Sequence, residues 1–264
     1  MSAVQLDKPR IRKSFAAASA TYDQAAALQR RSAIDLMQLA ANEGIRGTVL
    51  DLGCGTGNLT KLLLSIDCKP HTVIALDVAS AMLQTARGKL LGNPALCYVC
   101  ADAERLPFAA NSLDGVYSNL ALQWCDPLNR VFANLKRTLK TGSPLVFSTF
   151  GPKTLQELKS AWAEVDDLTH VNAFHSEQEL MRLLQEAGFR DCWIRHNLHT
   201  PRYASAHDLM HELKQIGAHN AHVARPKSLT GKSRMREMCQ AYERHRQDGL
   251  IPATFEILLV SAKA

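Results

Sequence analysis

The chain has 264 residues, 46% of them apolar and 21% charged, with 14 Gly, 10 Pro and a formal net charge of +6. That balance is too apolar for disorder and too varied for collagen or a coiled coil, and a chain this long buries roughly three quarters of its unfolded surface, so its core needs no disulfide or metal staple. No run of about 18 uncharged apolar residues occurs, which excludes a helix through a bilayer, and Met1 to Lys13 lacks the apolar stretch of a secretory signal, so the expectation is a soluble, cytoplasmic protein.

In chain order, Ser14 to Ala41 is Ala-rich without Gly or Pro and predicts one helix, within an N-terminal helical segment 10–42, stopped by Gly44 and Gly47. Thr48 to Leu52 is a short strand ending in glycines, and Asn58 to Ile66 returns to helical spacing through Leu59, Leu62, Leu63 and Ile66. The pattern recurs: strand Thr72 to Leu76 and a helix from Ser80; strand Ala95 to Cys100; strand Asp114 to Ser118 and a helix after Pro127; strand Pro144 to Phe150. Beyond Gly151 the spacing predicts a helix over His175 to Ala187, strand Arg190 to Leu198 and strand Thr254 to Val260. Two helical patterns, Ser205 to Ile216 and Ser233 to Gln247, have no strand of their own and read as a cap inserted over about 201–251. Alternating strands and helices predict an α/β fold: one domain with a doubly wound, seven-stranded, mostly parallel sheet.

Seven cysteines (Cys54, Cys68, Cys97, Cys100, Cys125, Cys192 and Cys239) are odd in number and scattered, which predicts thiols rather than a disulfide framework. Cys97 and Cys100 form a CxxC, but residues three apart on a strand face opposite sides and no second pair follows at zinc spacing. Eight of the ten histidines lie between 170 and 222, and His207 and His211 share a helix face. The row between them reads His-Asp-Leu-Met-His without the HExxH glutamate, so no metal is expected; a proton-shuttling role for His219 is equally weak. Basic residues gather at 1–31 and at 221–246, around a nearly neutral 32–150 block. Such a rim suits an acidic partner or phosphate-bearing substrate; zinc-finger spacing and aromatic RNA-binding signatures are absent, so nucleic acid is not expected.

The strongest signal is Val49-Leu-Asp-Leu-Gly-Cys-Gly-Thr-Gly57. Glycines at 53, 55 and 57, where a buried strand turns into a helix, let the backbone approach a nucleotide closely. The dinucleotide pattern GxGxxG fails because Asn58 stands at its last position. Asp51 would oppose a pyrophosphate and suits a cationic ligand with an amino-acid tail, while Asp77, 20 residues past Gly57, can accept both hydroxyls of a ribose.

These residues resemble the class I methyltransferases that use S-adenosylmethionine: VLDLGCGTG, the acid in ALDVA (Asp77), Asp102-Ala103 in CADAERLPF, and the strand end Ser118-Asn119-Leu120. Phe15, Ala18, Tyr22 and Gln29 in SFAAASATYDQAAALQ, Ala103-Glu-Arg-Leu-Pro107 and Ala121-Leu-Gln-Trp-Cys125 carry the resemblance to the malonyl-[acyl carrier protein] O-methyltransferase family of biotin synthesis. It spans almost the whole chain, loosest over Pro201 to Ile251, which matches in layout (Leu213-Lys-Gln-Ile-Gly217) more than in residues.

The resemblance implies S-adenosylmethionine held by Tyr22, Gln29, Asp51, Gly53, Cys54, Gly55, Gly57, Asp77, Val78, Met82, Asp102, Ala103, Asn119 and Leu120, with Tyr22, Gln123 and Trp124 orienting the reaction. It implies an acidic acyl carrier protein bearing malonyl, or malonyl-CoA, as partner. A carboxylate is ionised at neutral pH and needs no general base, whereas an Arg fork or Lys would orient it; Arg202, Lys214 and Arg225 are the candidates. Two other readings stay open: a different small carboxylate or quinone-precursor acceptor, and an S-adenosylmethionine-binding assembly factor. The absence of an Arg-rich, Ser-rich transit segment speaks against a mitochondrial form of the latter.

Overall fold

The computed structural model describes residues 6–41, 43–66, 70–218, 220–222 and 231–264. Cys68, His219, Arg225 and Lys227 lie outside the described residues. The chain opens with helices α1 (Lys8–Ala18), α2 (Tyr22–Ala25) and α3 (Ala27–Ala41). It then alternates β1 (Thr48–Leu52), α4 (Asn58–Ser65), β2 (Thr72–Asp77), α5 (Ser80–Lys89), β3 (Leu96–Cys100), β4 (Gly115–Asn119), α6 (Leu128–Thr138) and β5 (Pro144–Phe150). A 3-10 turn, Leu122–Trp124, lies between β4 and α6. After β5 come α7 (Gln156–Ala163), α8 (Glu177–Glu186), β6 (Arg190–His199), β7 (Arg202–Tyr203), α9 (Ala206–Gln215), α10 (Lys232–Glu243), β8 (Ile251–Pro252) and β9 (Phe255–Lys263).

Seven strands form one sheet in the order β3-β2-β1-β4-β5-β9-β6. The first five are parallel, and β9 runs antiparallel to both its neighbours, with Phe147 and Ile194 each opposite Val260. Strand order reverses between β1 and β4, and in open α/β sheets ligands bind outside the carboxyl ends of the strands at that switch point.

Alternation along each strand assigns the two faces. Val49, Val73, Val146 and Leu259 pack against Ala33, Leu36 and Leu39 of α3 and Leu59 and Leu63 of α4. Their neighbours Leu50, Leu145, Phe147 and Val260 pack on the other side against Val131, Phe132 and Leu135 of α6 and Leu180 and Leu184 of α8. The apolar stripe of α6 recurs at i, i+3, i+4 and i+7 (Leu128, Val131, Phe132, Leu135), the period of a helix buried on one face. A capping box starts α8, with Ser176 and Glu179 bonding each other's backbone N–H groups. No helix among the described residues is long and apolar enough to cross a membrane.

Three expectations need correction. Ser14 to Ala41 is three helices, because hydroxyls compete for backbone carbonyls at the break: Ser19 Oγ donates to the Ala16 carbonyl (2.9 Å) and Thr21 Oγ1 to that of Gln215 at the end of α9 (2.9 Å). The stretch 201–251 does carry strand, for Arg202 and Tyr203 pair antiparallel with Ile251 and Pro252 beside α9 and α10. Helix α7, absent from the sequence reading, supplies Leu158, Ala161 and Trp162 to the same cluster as Leu209, Met238 and Tyr242 of α9 and α10.

Candidate active site

The carboxyl end of β1 runs into the glycine loop. A Cβ on Gly53 (φ +73°) would stand 2.3 Å from the Ala121 Cβ, so only glycine lets the loop pass beneath the turn after β4. Gly55 (φ +53°) differs: nothing lies within 4 Å of where its Cβ would point, and that space belongs to the groove. Leu120, at the end of β4, takes φ +49°, a left-handed conformation costing an L-residue about 1–2 kcal/mol. It is held there by two bonds its N–H donates to Ser148 of β5, to the carbonyl (3.1 Å) and the hydroxyl (3.0 Å).

Three connected hollows surround this switch point. One is lined by Asp51, Gly53, Cys54, Gly55, Gly57, Asn58, Gln29 and Asn119. A second is lined by Gly53, Gly55, Asp77, Val78, Met82, Asp102, Ala103, Asn119 and Leu120. The third, away from the glycine loop, is lined by Gln29, Gln123, Phe150, Leu158, His170, Asn172, Glu212 and Leu213 among others. Tyr22 lines all three, and Phe15, Leu120 and Trp124 line the second and third. The fourteen residues expected around a cofactor thus converge on one continuous groove from segments up to 98 positions apart (Tyr22 to Leu120).

The groove's polar groups fit S-adenosylmethionine piece by piece. Asp51 is fully buried; Thr60 Oγ1 donates to its Oδ2 (2.5 Å), and its Oδ1 has no partner. Gln29 Oε1 is likewise buried and unpaired, as is Asn58 Nδ2. Two acceptors and one donor lining the same hollow match the ammonium and carboxylate of an amino-acid tail. Asp77 accepts the N–H of Gly55 on Oδ2 (2.9 Å) and of Ala79 on Oδ1 (2.8 Å), leaving a lone pair on each oxygen for a ribose hydroxyl. Asp102, farther along, accepts the Glu104 N–H on Oδ1 (2.9 Å).

Burial pushes the Asp51 carboxyl up to about 7 against the lowering bond from Thr60, with the Asp77 charge adding to the rise. A protonated Asp51 cannot pair with an ammonium, so affinity for S-adenosylmethionine should rise about tenfold from pH 6 to pH 8 as the acid ionises. Calorimetry at both values, with Asp51→Asn expected to give a flat profile, checks this.

Helices α1 and α2 close the groove from outside. Lys8 on α1 pairs with Glu104 and lies 3.6 Å from Asp102, and burial of this lysine is outweighed by those two acids, which hold its ammonium pKa above the usual range. Phe15 meets Trp124 edge to face at 5.3 Å. Asp23 of α2 accepts a bond from Thr56 Oγ1 (2.6 Å) and pairs with Lys89, tying the helix to the glycine loop. Burial, then the nearby charges of Asp77 and Asp23, raises the Tyr22 phenol well above its ordinary range, so it remains a hydrogen-bond donor. Lys8 was not singled out from the sequence, and Asn58 only as the residue that breaks the dinucleotide pattern; Lys8 is one more charge in a basic segment until α1 folds across the groove.

Two of the three proposed carboxylate cations are corrected. Arg202 is on the exposed β7 edge, paired with Asp248 (3.1 Å), and Lys214 is exposed on α9; neither lines the third hollow, and Arg225 lies outside the described residues. No Lys or Arg among the described residues lines that hollow. Gln123 lines the third hollow, with one amide N–H donated to the Leu120 carbonyl (2.6 Å) and its Oε1 accepting from Thr149 Oγ1 (3.4 Å). His207 and His211 are exposed on α9, Cys97 and Cys100 are exposed on β3, and no group of three or more metal-ligating side chains occurs among the described residues.

Sheet order, glycine loop and groove define a class I S-adenosylmethionine-dependent methyltransferase, and residues 50–147 match the family described as "Methyltransferase domain". The YcgJ protein from Bacillus subtilis superposes with TM-score 0.63 at 16% identity, covering 86% of this chain and 97% of that one. Phosphoethanolamine N-methyltransferase 2 of Haemonchus contortus does so at 0.53 and 14%, covering 87% of this chain and 52% of that one; both share the fold. The malonyl-[acyl-carrier protein] O-methyltransferase of Gallionella capsiferriformans is 38% identical over 265 residues, 98% of this chain and 91% of that protein. This chain belongs to that family. It is also 40% identical over 256 residues to the biotin biosynthesis bifunctional protein BioHC of Cellvibrio japonicus, spanning 97% of itself but about half (50%) of that longer relative.

Proposed function

We propose that this protein methylates the free carboxylate of a malonyl thioester, carried by an acyl carrier protein, at an early step of biotin synthesis. The observation that carries the reading is the third hollow, which meets the cofactor groove at Tyr22 and is otherwise lined mainly by apolar side chains and neutral amides, its one carboxylate, Glu212, being held by the Tyr203 hydroxyl. S-adenosylmethionine, when bound, supplies an electrophilic methyl group on a sulfonium centre. The acceptor carboxylate is already ionised at neutral pH, so the chain's residues need only bind it, orient it and exclude water, tasks worth about 7–11 kcal/mol when alignment is good. The Tyr22 hydroxyl at the junction donates toward the carboxylate without neutralising it, whereas a guanidinium clamp would disperse the charge the nucleophile needs. Lys232, Arg234 and Arg236 stand exposed on α10, a basic face that would steer an acidic carrier.

Mass spectrometry of malonyl-carrier protein, malonyl-CoA and free malonate after incubation with S-adenosylmethionine tests the reading. Methyl gain on the carrier-bound malonyl, slower on the CoA form and absent on malonate, is the expected result. No gain on any of them, with S-adenosylmethionine still bound, would overturn the acceptor and leave the methyltransferase class.

A further inference from the structure

The third hollow has two ends. At one it shares Phe15, Tyr22, Leu120 and Trp124 with the cofactor groove. At the other it shares His170, Val171, Asn172 and Phe174 with an open surface groove between α7 and residues 166–174, floored by Pro152, Lys159, Trp162 and Ala163. That outer groove shares no residue with the cofactor site. The acceptor hollow therefore adjoins the cofactor groove on one side and the surface groove on the other. An acceptor whose reacting end lies at Tyr22 has its other end directed outward past His170 and Phe174.

The wall at this second constriction is built rather than incidental. The His170 ring stacks on Trp162 (centroids 3.6 Å apart, planes 7° off parallel) and its Nε2 bonds Asp166 Oδ1 (2.8 Å), with Arg234 of α10 3.6 Å from the same carboxylate. These contacts leave Nδ1 without a partner among the described residues. Asn172, itself buried, spends its Oδ1 on the Ala221 N–H (3.2 Å), so its amide NH2 likewise has no described partner. Lys159 donates to the Pro152 carbonyl (2.9 Å) and lies 5.3 Å over the Phe174 ring. Aromatic walls with an unspent imidazole nitrogen and amide NH2 where the two spaces meet suit a thin, amide-bearing, flexible chain.

We propose that the groove between α7 and residues 166–174 is the binding site for the phosphopantetheine arm of the acceptor thioester. The inference rests on the malonyl-thioester reading and adds where the arm lies and that it contributes to acceptor choice. The arm is common to coenzyme A and to a carrier protein, and the groove serves both.

Ala163 and Ala173 are exposed along the groove, so a large side chain at either position fills it without entering the core. Ala163→Trp and Ala173→Trp should each lower kcat/KM for malonyl-CoA and malonyl-carrier protein at least about tenfold. Malonyl-N-acetylcysteamine, which lacks the rest of the pantetheine arm, should change by less than about twofold, and S-adenosylmethionine affinity by calorimetry should not change. Two positions guard against one variant failing to fold. Equal losses on short and long acceptors, or none on either, overturn the arm site while the malonyl reading stands; loss on the carrier form alone overturns it in favour of a protein-docking face. If the wild type neither methylates any malonyl thioester nor binds malonyl-CoA when loaded with S-adenosylhomocysteine, both the reading and the inference fall.

Discussion

Gly55→Val is expected to abolish measurable S-adenosylmethionine binding, raising Kd at least about 100-fold, or about 3 kcal/mol. No atom beyond those of its two chain neighbours lies within 4 Å of the position a Cβ would take, so the added carbon meets open space rather than packed protein. Gly55 lines both hollows of the groove, one walled by Asp51 and the other by Asp77, so a side chain there takes up space beside the ligand. The φ of +53° adds a backbone cost of about 1–2 kcal/mol to the folded state, so the melting temperature should fall by a few degrees. Gly55→Ala separates the two effects, since it carries the same backbone cost with a single carbon in the groove. Calorimetry is the measurement, and retained affinity in Gly55→Val would refute the assignment of this groove to the cofactor.

Asp77→Ala should weaken S-adenosylmethionine binding by about the same factor through different physics. Asp77 sits at the end of β2 with both oxygens already anchored by the Gly55 and Ala79 N–H groups, so its remaining lone pairs are aimed before a ligand arrives. Two charge-assisted hydrogen bonds to a ribose, each about 1.5–3 kcal/mol, are lost with the carboxylate. The Gly55 N–H also loses its acceptor, which loosens the loop that shapes the groove. Asp77→Asn should not rescue binding, because its amide NH2 would face one of two backbone donors. An affinity within about threefold of wild type in both variants would remove Asp77 from the ribose site. Asp77 also raises the Asp51 carboxyl by its charge, so the pH profile of binding in Asp77→Ala should move to lower pH.

The acceptor side works by different means. The cofactor groove carries buried acids and unpaired amides, whereas the third hollow is walled mainly by apolar side chains and adjoins the surface groove at His170, Val171, Asn172 and Phe174. One negative charge, Glu212, lines that hollow, and its Oε1 accepts a bond from the Tyr203 hydroxyl (3.0 Å). On the malonyl-thioester reading, specificity there would come from length and shape, set by α7, residues 166–174 and α9.

What could be read from the amino acids alone is what short spacing encodes. Val49 to Gly57 specifies strand, turn and helix within nine residues; the alternation of Val49 and Leu50, or Leu258 and Leu259, assigns faces; the stripe of Leu128, Val131, Phe132 and Leu135 fixes a helix period. Asp51, Asp77 and Asp102 were legible because each ends or follows a strand whose direction the pattern already implied. Tertiary structure decided everything that depends on distant segments meeting. The break at Ser19 to Thr21 needs the carbonyl of Gln215, Lys8 needs Glu104, and the insertion of β9 between β5 and β6 needs a partner more than 100 residues earlier for one of its edges. Arg202 and Lys214 looked like carboxylate ligands because charge is visible in a sequence and direction is not: the fold turned both outward, and left Tyr22 of α2 and His170 and Asn172 of the 166–174 segment around the space an acceptor would fill.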